Sequence, residues 1–285
     1  MLSNPIFFAI VIVIVLAAIG LVFGLVLAVA NKKLKVETNP LIEEVEELLP
    51  KGQCGACGYA GCAAYAEAVV LNPDVAPNLC VPGKQEVADA VSQLTGKTAE
   101  KVEPHIAHVR CAGSCDKAKI DYTYTGVKDC GAANMLHYGP KACKYGCLGF
   151  GSCVSACNFG ALSLGDNGLP AVDAKKCTGC GACEKACPKK LIKMQPTAAH
   201  VKVDCSSRDK GAAAKKNCVA ACIGCGLCAK NCPYQAVRIQ DNLAFVDAAI
   251  CIEKCAEATC VGKCPTGAIS ALAGFETEKV LAKAN

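Results

Sequence analysis

One cysteine-rich stretch indicates how the central part of this chain folds: Cys177-Thr-Gly-Cys180-Gly-Ala-Cys183-Glu-Lys-Ala-Cys187-Pro188. The same spacing returns without a mismatch from Cys222 to Pro233. In such a run the first three cysteines surround one [4Fe-4S] cluster, and the fourth, which a proline turns outward, binds a neighbouring cluster. Structural zinc sites instead join two separate Cys-x2-Cys hooks. The two runs therefore predict a repeated iron-sulfur-binding unit.

We call these two runs strict. Each has a companion run in which the cysteines are spaced more loosely, and each pair of runs predicts a two-cluster domain of the bacterial ferredoxin type. Alternating segments over 161–173 and 236–247 predict a strand-turn-strand hairpin in each domain. Because the fourth cysteine of a run crosses to the partner cluster, four ligand sets are predicted. They are Cys143, Cys147, Cys153 with Cys187; Cys177, Cys180, Cys183 with Cys157; Cys222, Cys225, Cys228 with Cys264; and Cys251, Cys255, Cys260 with Cys232.

A further cysteine motif lies nearer the N-terminus, where Cys54-x2-Cys57-x4-Cys62 stands in a glycine-rich loop and Cys80 follows. Three thiolates on a tight loop and a fourth from the next segment satisfy the four corners of one [4Fe-4S] cluster. Glycines let the backbone wrap closely around it. A zinc site is the alternative, but this segment has a single Cys-x2-Cys hook. Helices are predicted over 41–49, which is rich in glutamate, and over 63–71.

Five cysteines remain outside these sets, and they allow a sixth cluster. Two of them bracket a lysine-rich loop before the second ferredoxin domain, and the others precede the first domain, so the two flanks could meet. The hypothesis is a cluster bound by four of the five, with buried or free thiols as the alternative. Its ligands would be Cys111, Cys130, Cys205 and Cys218, which leaves Cys115.

The composition agrees with several metal clusters in one chain. Its 25 cysteines are an odd number, so complete disulfide pairing is impossible. Trp is absent and Tyr and Phe number seven each, which is few for a conventional core of a chain of 285 residues. We expect at least five [4Fe-4S] clusters to fill the interior instead. The four histidines lack metal-ligand spacing and are predicted to be structural or at the surface.

Residues 6–30 carry no charged side chain and are long enough to cross a bilayer as one helix. A cleaved signal peptide is the alternative, but the stretch lacks a basic start and exceeds the length of a signal core. Lys32, Lys33 and Lys35 follow the span directly. The positive-inside rule therefore predicts a single-pass protein of the cytoplasmic membrane, with its N-terminus outside and its iron-sulfur domains in the cytoplasm.

Charge and motifs limit the classes of partner and cofactor that this chain is predicted to bind. Between residues 141 and 240, Lys and Arg outnumber Asp and Glu by fifteen to five. Part of this surplus compensates the thiolates, and the rest is predicted to steer an acidic protein partner. Nucleic acid is excluded by the lack of recognition motifs and stacking aromatic residues. No G-x-G-x-x-G fingerprint stands in a strand-helix unit, so flavin or NAD on this chain is not expected. The candidate docking residues are Lys175, Lys176, Lys215 and Lys216.

The order of these motifs resembles the B subunits of the Rnf complexes. The resemblance rests on the anchor helix, then Gly52-Gln-Cys-Gly-Ala-Cys-Gly-Tyr-Ala-Gly-Cys62, Arg110-Cys-Ala-Gly, Asp129-Cys-Gly-Ala-Ala, Tyr145-Gly-Cys-Leu-Gly-Phe-Gly-Ser-Cys153 and the ferredoxin runs. Rnf complexes are membrane-bound oxidoreductases that couple electron flow between ferredoxin and NAD to transport of sodium ions or protons.

The resemblance implies an iron-sulfur subunit that takes electrons from reduced soluble ferredoxin and passes them toward flavin- and NAD-bearing and membrane subunits. It would be an electron-transfer subunit of a translocase, without a catalytic residue or substrate-converting site of its own. Two alternatives stay open: an anchored iron-sulfur subunit of a hydrogenase or formate dehydrogenase, and a redox-sensing or structural metal-binding protein. Detergent-solubilised protein that travels with flavin-bearing subunits would favour the Rnf interpretation.

The predicted fold class is α+β, with a single N-terminal transmembrane helix, a small helical [4Fe-4S] domain and two ferredoxin-like two-cluster domains. The predicted boundaries are 1–35 for the membrane anchor, with its helix over about 6–30; 36–95 for the N-terminal [4Fe-4S] domain; 96–140 for a cysteine-containing linker; 141–200 for the first ferredoxin domain; and 201–285 for the second with a C-terminal tail.

Overall fold

The computed structural model of the chain describes residues 5–33 and 39–272. Lys35, the side chains of Lys32 and Lys33, and residues 273–285, which fall in the predicted second ferredoxin domain with its C-terminal tail, lie outside what is described. The chain divides into two compact units, Met1–Ile42 and Glu43–Asn285. The helices are α1 Pro5–Lys33, α2 Pro40–Leu48, α3 Cys62–Leu71, α4 Lys84–Thr95, α5 Cys130–Met135, α6 Ser152–Ser155, α7 Ala182–Ala186, α8 Gly211–Asn217, α9 Leu227–Lys230, α10 Ala248–Lys254 and α11 Thr259–Gly262, with a 3-10 turn at Val81–Gly83. The strands are β1 His105–Val109, β2 Leu162–Leu164, β3 Pro170–Val172, β4 Ile192–Pro196, β5 Val201–Val203, β6 Val237–Gln240, β7 Leu243–Val246 and β8 Ile269–Ala271.

Helix α1 contains the predicted anchor. Its window Ala9–Ala30 covers 22 residues and is long and apolar enough to cross a membrane. At 1.5 Å per residue this window is about 33 Å long, close to the roughly 30 Å of a hydrocarbon core. The window buries none of its residues within the chain. Its apolar side chains therefore fit a transmembrane segment, as predicted.

Helices α2 to α4 form a segment with a core of ordinary apolar side chains. Val45, Tyr65, Val69 and Val91 are almost completely buried, and burial of such a side chain contributes roughly 1.5–3 kcal/mol. The Tyr65 hydroxyl donates to a backbone carbonyl at 2.9 Å, which satisfies its polar end. Both predicted helices are present here, as α2 and α3. This segment does not depend on metal for its hydrophobic core.

The remaining strands build two similar halves, one after the other in the chain. In each half a short hairpin lies between cysteine runs: β2 pairs with β3, and β6 with β7, both antiparallel. A second antiparallel pair closes each half, β1 with β4 and β5 with β8. Both predicted hairpins are therefore present, and the mixed helix and strand architecture is confirmed. We call residues 105–196 the first ferredoxin half and residues 201–271 the second.

The segment over 96–140, predicted as a linker, is built into both halves. It supplies β1 to the first half, where His105 lies opposite Pro196. Beyond β1, an isolated antiparallel bridge joins Ala118 to Cys218, which precedes the second half's strict run. The segment therefore joins the two halves, and it carries cysteines between them.

Glycine allows the strict runs to pass close to neighbouring strands. Gly179 has a φ of +74°, and a Cβ there would lie 2.6 Å from the carbonyl oxygen of His105. Its counterpart in the second half, Gly224, has a φ of +64° and would place a Cβ 2.9 Å from the Asn242 carbonyl oxygen. Any larger side chain would be strained at either position. The same residue in the same place explains why the two runs have the same local structure.

Candidate iron-sulfur sites

The predicted N-terminal set forms a group that we call site I. Its four cysteines line one cavity. The glycine-rich loop is closed by Gln53, whose side-chain oxygen accepts a hydrogen bond from the Cys62 amide at 2.9 Å. Burial raises the pKa of the Cys80 thiol to about 11, and the nearby sulfurs of Cys62, Cys57 and Cys54 add to the rise. Iron deprotonates a coordinating thiol outright, so clustered buried thiols of this kind fit metal ligands. Site I comprises Cys54, Cys57, Cys62 and Cys80.

Site II contains the first strict run and the cysteine predicted to cross to it. Burial raises the pKa of Cys183 to about 12, and the other three sulfurs of the set raise it further. Backbone amides point at two of these sulfurs, with Ala107 N 3.4 Å from Cys177 Sγ and Ala161 N 3.3 Å from Cys157 Sγ. Such donors stabilise negative charge on a thiolate. The structure brings the whole predicted set together: Cys157, Cys177, Cys180 and Cys183.

Site III differs from the prediction at one position. The structure places four cysteines around one cavity: Cys130, Cys147, Cys153 and Cys187. The predicted set had Cys143 in the place of Cys130. Burial raises the pKa of Cys147 to about 12.

A side-chain network explains why Cys130 reaches site III. Asp129 is the N-cap of α5 and accepts from the Ala132 amide at 2.8 Å. Its second oxygen accepts from the Ser152 hydroxyl, which in turn accepts from the Cys130 amide, both at 2.9 Å. Ser152 begins the short helix α6 that carries Cys153. The network therefore holds Cys130 beside Cys153, and not in the cavity with Cys111, Cys205 and Cys218 as predicted.

Site IV takes the cysteine that site III leaves out. One cavity is lined by Cys111, Cys143, Cys205 and Cys218. The predicted sixth set had Cys130 in the place of Cys143. Burial raises the pKa of Cys143, and the sulfurs of Cys111 and Cys218 add to the rise. Cys143 lies here because an isolated bridge pairs Ile120 with Lys141. This bridge brings the chain just before Cys143 against the segment 96–140, which joins the two halves.

Site IV lies between the two ferredoxin halves. Cys111 follows β1 of the first half, and Cys205 follows β5 of the second. The Ala112 amide donates to the Asp204 carbonyl at 2.8 Å, which ties these two loops together. Arg110 is partly buried beside Cys205, and burial lowers the pKa of its guanidinium although the sulfur opposes this. A buried cation at this place offsets negative charge on the thiolates.

Sites V and VI contain the predicted sets of the second half. Site V is a cavity lined by Cys222, Cys225, Cys228 and Cys264. At site VI, burial raises the pKa of both Cys251 and Cys260 to about 12, and Cys255 and Cys232 raise it further. The structure therefore groups Cys232, Cys251, Cys255 and Cys260 at site VI. Four of the six groups match the predicted sets, and the other two exchange a single residue.

Each site lies beside the next. Asn158, next to Cys157 of site II, donates to the Gly52 carbonyl at the edge of site I at 2.9 Å. Sites II and III share one buried cluster that contains Cys153 and Cys183.

The contacts continue into the second half. The Cys147 amide of site III lies 3.4 Å from Cys111 Sγ of site IV. The Cys222 amide of site V donates to the Cys205 sulfur of site IV, and Cys228 of site V raises the pKa of Cys260 at site VI. The six groups thus follow one another from site I to site VI.

Two sets of predicted residues lie outside these groups. Cys115 is exposed, and its Sγ donates to the Asn167 carbonyl at 2.9 Å. The four candidate docking lysines are all exposed: Lys175 and Lys176 precede site II, and Lys215 and Lys216 end α8, directly before Cys218.

Comparisons with known proteins follow the same division of the chain. The FeS family model, which describes an Fe-S cluster, matches residues 49–82. The 4Fe-4S dicluster domain matches residues 141–192 and 176–237. These matches support iron-sulfur clusters as the cofactors of this chain.

Several curated relatives match nearly the whole chain. The B subunit of a proton-translocating ferredoxin:NAD(+) oxidoreductase complex from Clostridium ljungdahlii is 58% identical over 92% of this chain and 92% of its own length. The B subunit of a Na(+)-translocating complex of the same activity from Acetobacterium woodii is 41% identical over 90% of this chain and 76% of its length. The B subunit of an ion-translocating oxidoreductase complex from Methanosarcina acetivorans is 43% identical over 90% and 95%. The chain therefore belongs to the family of B subunits of the ion-translocating ferredoxin:NAD(+) oxidoreductase complexes, the Rnf family that its motif order predicts.

Proposed function

We propose that this chain carries electrons from reduced soluble ferredoxin, through six [4Fe-4S] clusters in the order of sites I to VI or its reverse, to the flavin- and NAD-bearing subunits of an Rnf complex. The complex couples this flow to transport of Na+ or H+. When bound, each [4Fe-4S] cluster takes up and releases one electron. The role of the chain is to hold the clusters in a row and to set their surroundings. It is an electron-transfer subunit and has no substrate-converting site of its own.

The observation that carries this proposal is the place of site IV. Without it, the two ferredoxin halves would be two separate pairs of clusters. Cysteines from both halves line its cavity, and hydrogen bonds connect it to site III on one side and to site V on the other. Site IV therefore supports one continuous path of six clusters.

The position of each end of the path suggests which partner exchanges electrons with it. Site I belongs to the segment that follows α1 in the chain, and we assign to it the transfer toward the membrane subunits. The second ferredoxin half then receives electrons. In the same arrangement α1 spans the cytoplasmic membrane with its N-terminus outside, which leaves the iron-sulfur segments in the cytoplasm with soluble ferredoxin.

Iron content tests the number of clusters. The anaerobically purified chain should hold about 24 irons, roughly four for each site. Cys143→Ala should remove about four irons and leave site III filled, because Cys143 belongs to site IV. Cys115→Ser is the matched control and should keep the full content, since Cys115 lies outside every group. An iron content of about 20 in the unmodified chain would contradict the sixth site.

Charge reversal tests the docking of ferredoxin. Changing Lys215 and Lys216 to Glu should slow the reduction of the chain by ferredoxin, and raised ionic strength should slow the reduction of the unmodified chain, because long-range attraction is screened by salt. A second variant, with Lys175 and Lys176 changed to Glu, tests whether the lysines of the first half have the same effect on this rate. Reduction by dithionite, which needs no protein docking, is the control. A rate that neither salt nor either double variant alters would contradict electrostatic docking.

A further inference from the structure

Site VI has a fifth candidate side chain beside its four cysteines. A ring nitrogen of His200 and the sulfurs of Cys251 and Cys255 all lie within 4.8 Å of one another. Cys251 is buried and His200 is half-buried. The sequence predicted a structural or surface role for this histidine, because it is far along the chain from the cysteines that it approaches.

The strand pair of the second half holds His200 at this place. His200 directly precedes β5, and its carbonyl accepts a hydrogen bond from the Leu272 amide at 2.9 Å, one residue past β8. Cys251 lies in α10, whose N-cap Asp247 accepts from two amides of its first turn. Hydrogen bonds therefore hold the backbone of His200 beside the end of β8 and cap the helix that carries Cys251.

The other described histidines have different surroundings. His108 is hydrogen-bonded to Asp204 at 2.9 Å, and His105 Nδ1 lies 2.9 Å from the Glu103 carbonyl oxygen. His137 is exposed. Within residues 39–272, His200 is the histidine grouped with cysteine sulfurs.

The chemistry of the group favours a hydrogen bond over iron ligation. Four thiols already supply the four corners of a [4Fe-4S] cluster at site VI. An imidazole N–H beside a coordinating sulfur donates to it, and hydrogen bonds to the sulfurs are among the factors that set a cluster's potential. One-electron reduction makes the cluster and its thiolates more negative by one unit. A donor at the sulfur therefore stabilises the reduced form more than the oxidised form.

We propose that His200 donates a hydrogen bond to a thiolate ligand at site VI and raises the reduction potential of the cluster held there. The inference rests on the proposed function in one respect, namely that site VI holds a [4Fe-4S] cluster. Site VI is the last of the six sites when they are counted from site I. A raised potential there draws the electron from the reduced donor, which is oxidised by one electron as the cluster is reduced.

Redox titration of the full chain tests this role. The purified chain in detergent is titrated anaerobically with chemical mediators, and the reduced clusters are followed by low-temperature EPR. His200→Phe keeps a ring and removes the donor, while His200→Gln keeps an N–H donor. His137→Phe is the matched control at an exposed position. The cluster that responds is identified as the component missing from a Cys260→Ala variant.

We expect His200→Phe to lower the midpoint of one component by about a tenfold change in its reduction equilibrium, equivalent to about 59 mV for one electron. His200→Gln should keep most of the original midpoint, His137→Phe should change none, and iron content should stay constant. The proposal is overturned if no midpoint moves, if Gln and Phe act alike, or if His200→Phe loses about four irons, which would make His200 a ligand or a packing residue. Failure of the proposed function would give a different result, namely a chain whose clusters have normal midpoints but are not reduced by ferredoxin.

Discussion

Changing Cys218 to Ala is expected to interrupt the electron path at its centre. Cys218 lines site IV, and the bridge from Ala118 to Cys218 ties the joining segment to the second half. Loss of this thiol leaves three ligands at site IV, and the gap between sites III and V then has no cluster to cross it. Ferredoxin-dependent NAD reduction by the complete complex should fall more than tenfold, the largest functional effect that we expect from a single substitution.

The measurement separates interruption from general damage. Stopped-flow absorbance should show that ferredoxin still reduces the clusters on its own side of site IV, while those on the other side stay oxidised. Cys115→Ser is again the control and should support the unmodified rate. Cys218→Ala protein that holds its other clusters and still reduces NAD at the original rate would contradict a single path through site IV.

Removal of iron is expected to unfold the two ferredoxin halves and to spare the helices of the N-terminal segment. In the second half, the buried core consists largely of alanines, valines and cysteines, and its six buried cysteines all belong to the groups at sites IV, V and VI. Binding free energy of a metal is folding free energy when the ligands themselves form the core. In contrast, α2 to α4 bury Val45, Tyr65, Val69 and Val91.

Hydrogen exchange measures this difference directly. After anaerobic chelation, the amides of β6 and β7 should lose most of their protection, whereas those of α3 and α4 should keep a substantial part of it. The unmodified chain with its iron is the reference for both regions. Protection of the β6–β7 hairpin that survives complete iron removal would show that the second half has a sufficient core without its clusters.

The burial of the thiols adds a direction of pH dependence to the chain without iron. The pKa of Cys80, in the segment that is expected to stay folded, is raised to about 11 because burial disfavours the thiolate. A group whose pKa is higher in the folded state stabilises that state below its unfolded pKa, near 9.0 here, and this contribution is lost as pH rises toward 11. The structure that this segment keeps after chelation should therefore lose stability on alkaline titration, a change that circular dichroism follows.

Local patterns were sufficient to predict which cysteines the structure brings together at four of the six sites. The strict runs place three cysteines around one centre through their own spacing, and their glycines are required by positive φ at Gly179 and Gly224. The hairpins follow from alternation between turn residues, and site I from a compact loop. All of these depend on residues that are close in sequence, for which spacing and local geometry are strongly related.

Cys130 and Cys143 show where spacing is insufficient. Cys130 lies outside the four cysteine runs and Cys143 begins a loose run, so no strict spacing assigns either of them to a group. The Asp129 cap before a short apolar stretch was a signal that Cys130 begins a helix. The hydrogen bond from the Ser152 hydroxyl to Asp129 places that helix beside Cys153. It joins residues 23 positions apart, so no local sequence pattern predicts it.

Neighbouring residues are enough to identify one apolar span, a repeated set of cysteine runs and the family to which the chain belongs, because periodicity and spacing are local properties of a chain. The grouping of Cys130 with Cys153 and of Cys143 with Cys111, the place of site IV between the two halves, and the contact of His200 with Cys251 and Cys255 depend on the fold. These contacts arise when β1 pairs with β4 and β5 with β8. Such strand pairs bring together loops that are distant in sequence, and no spacing rule describes them.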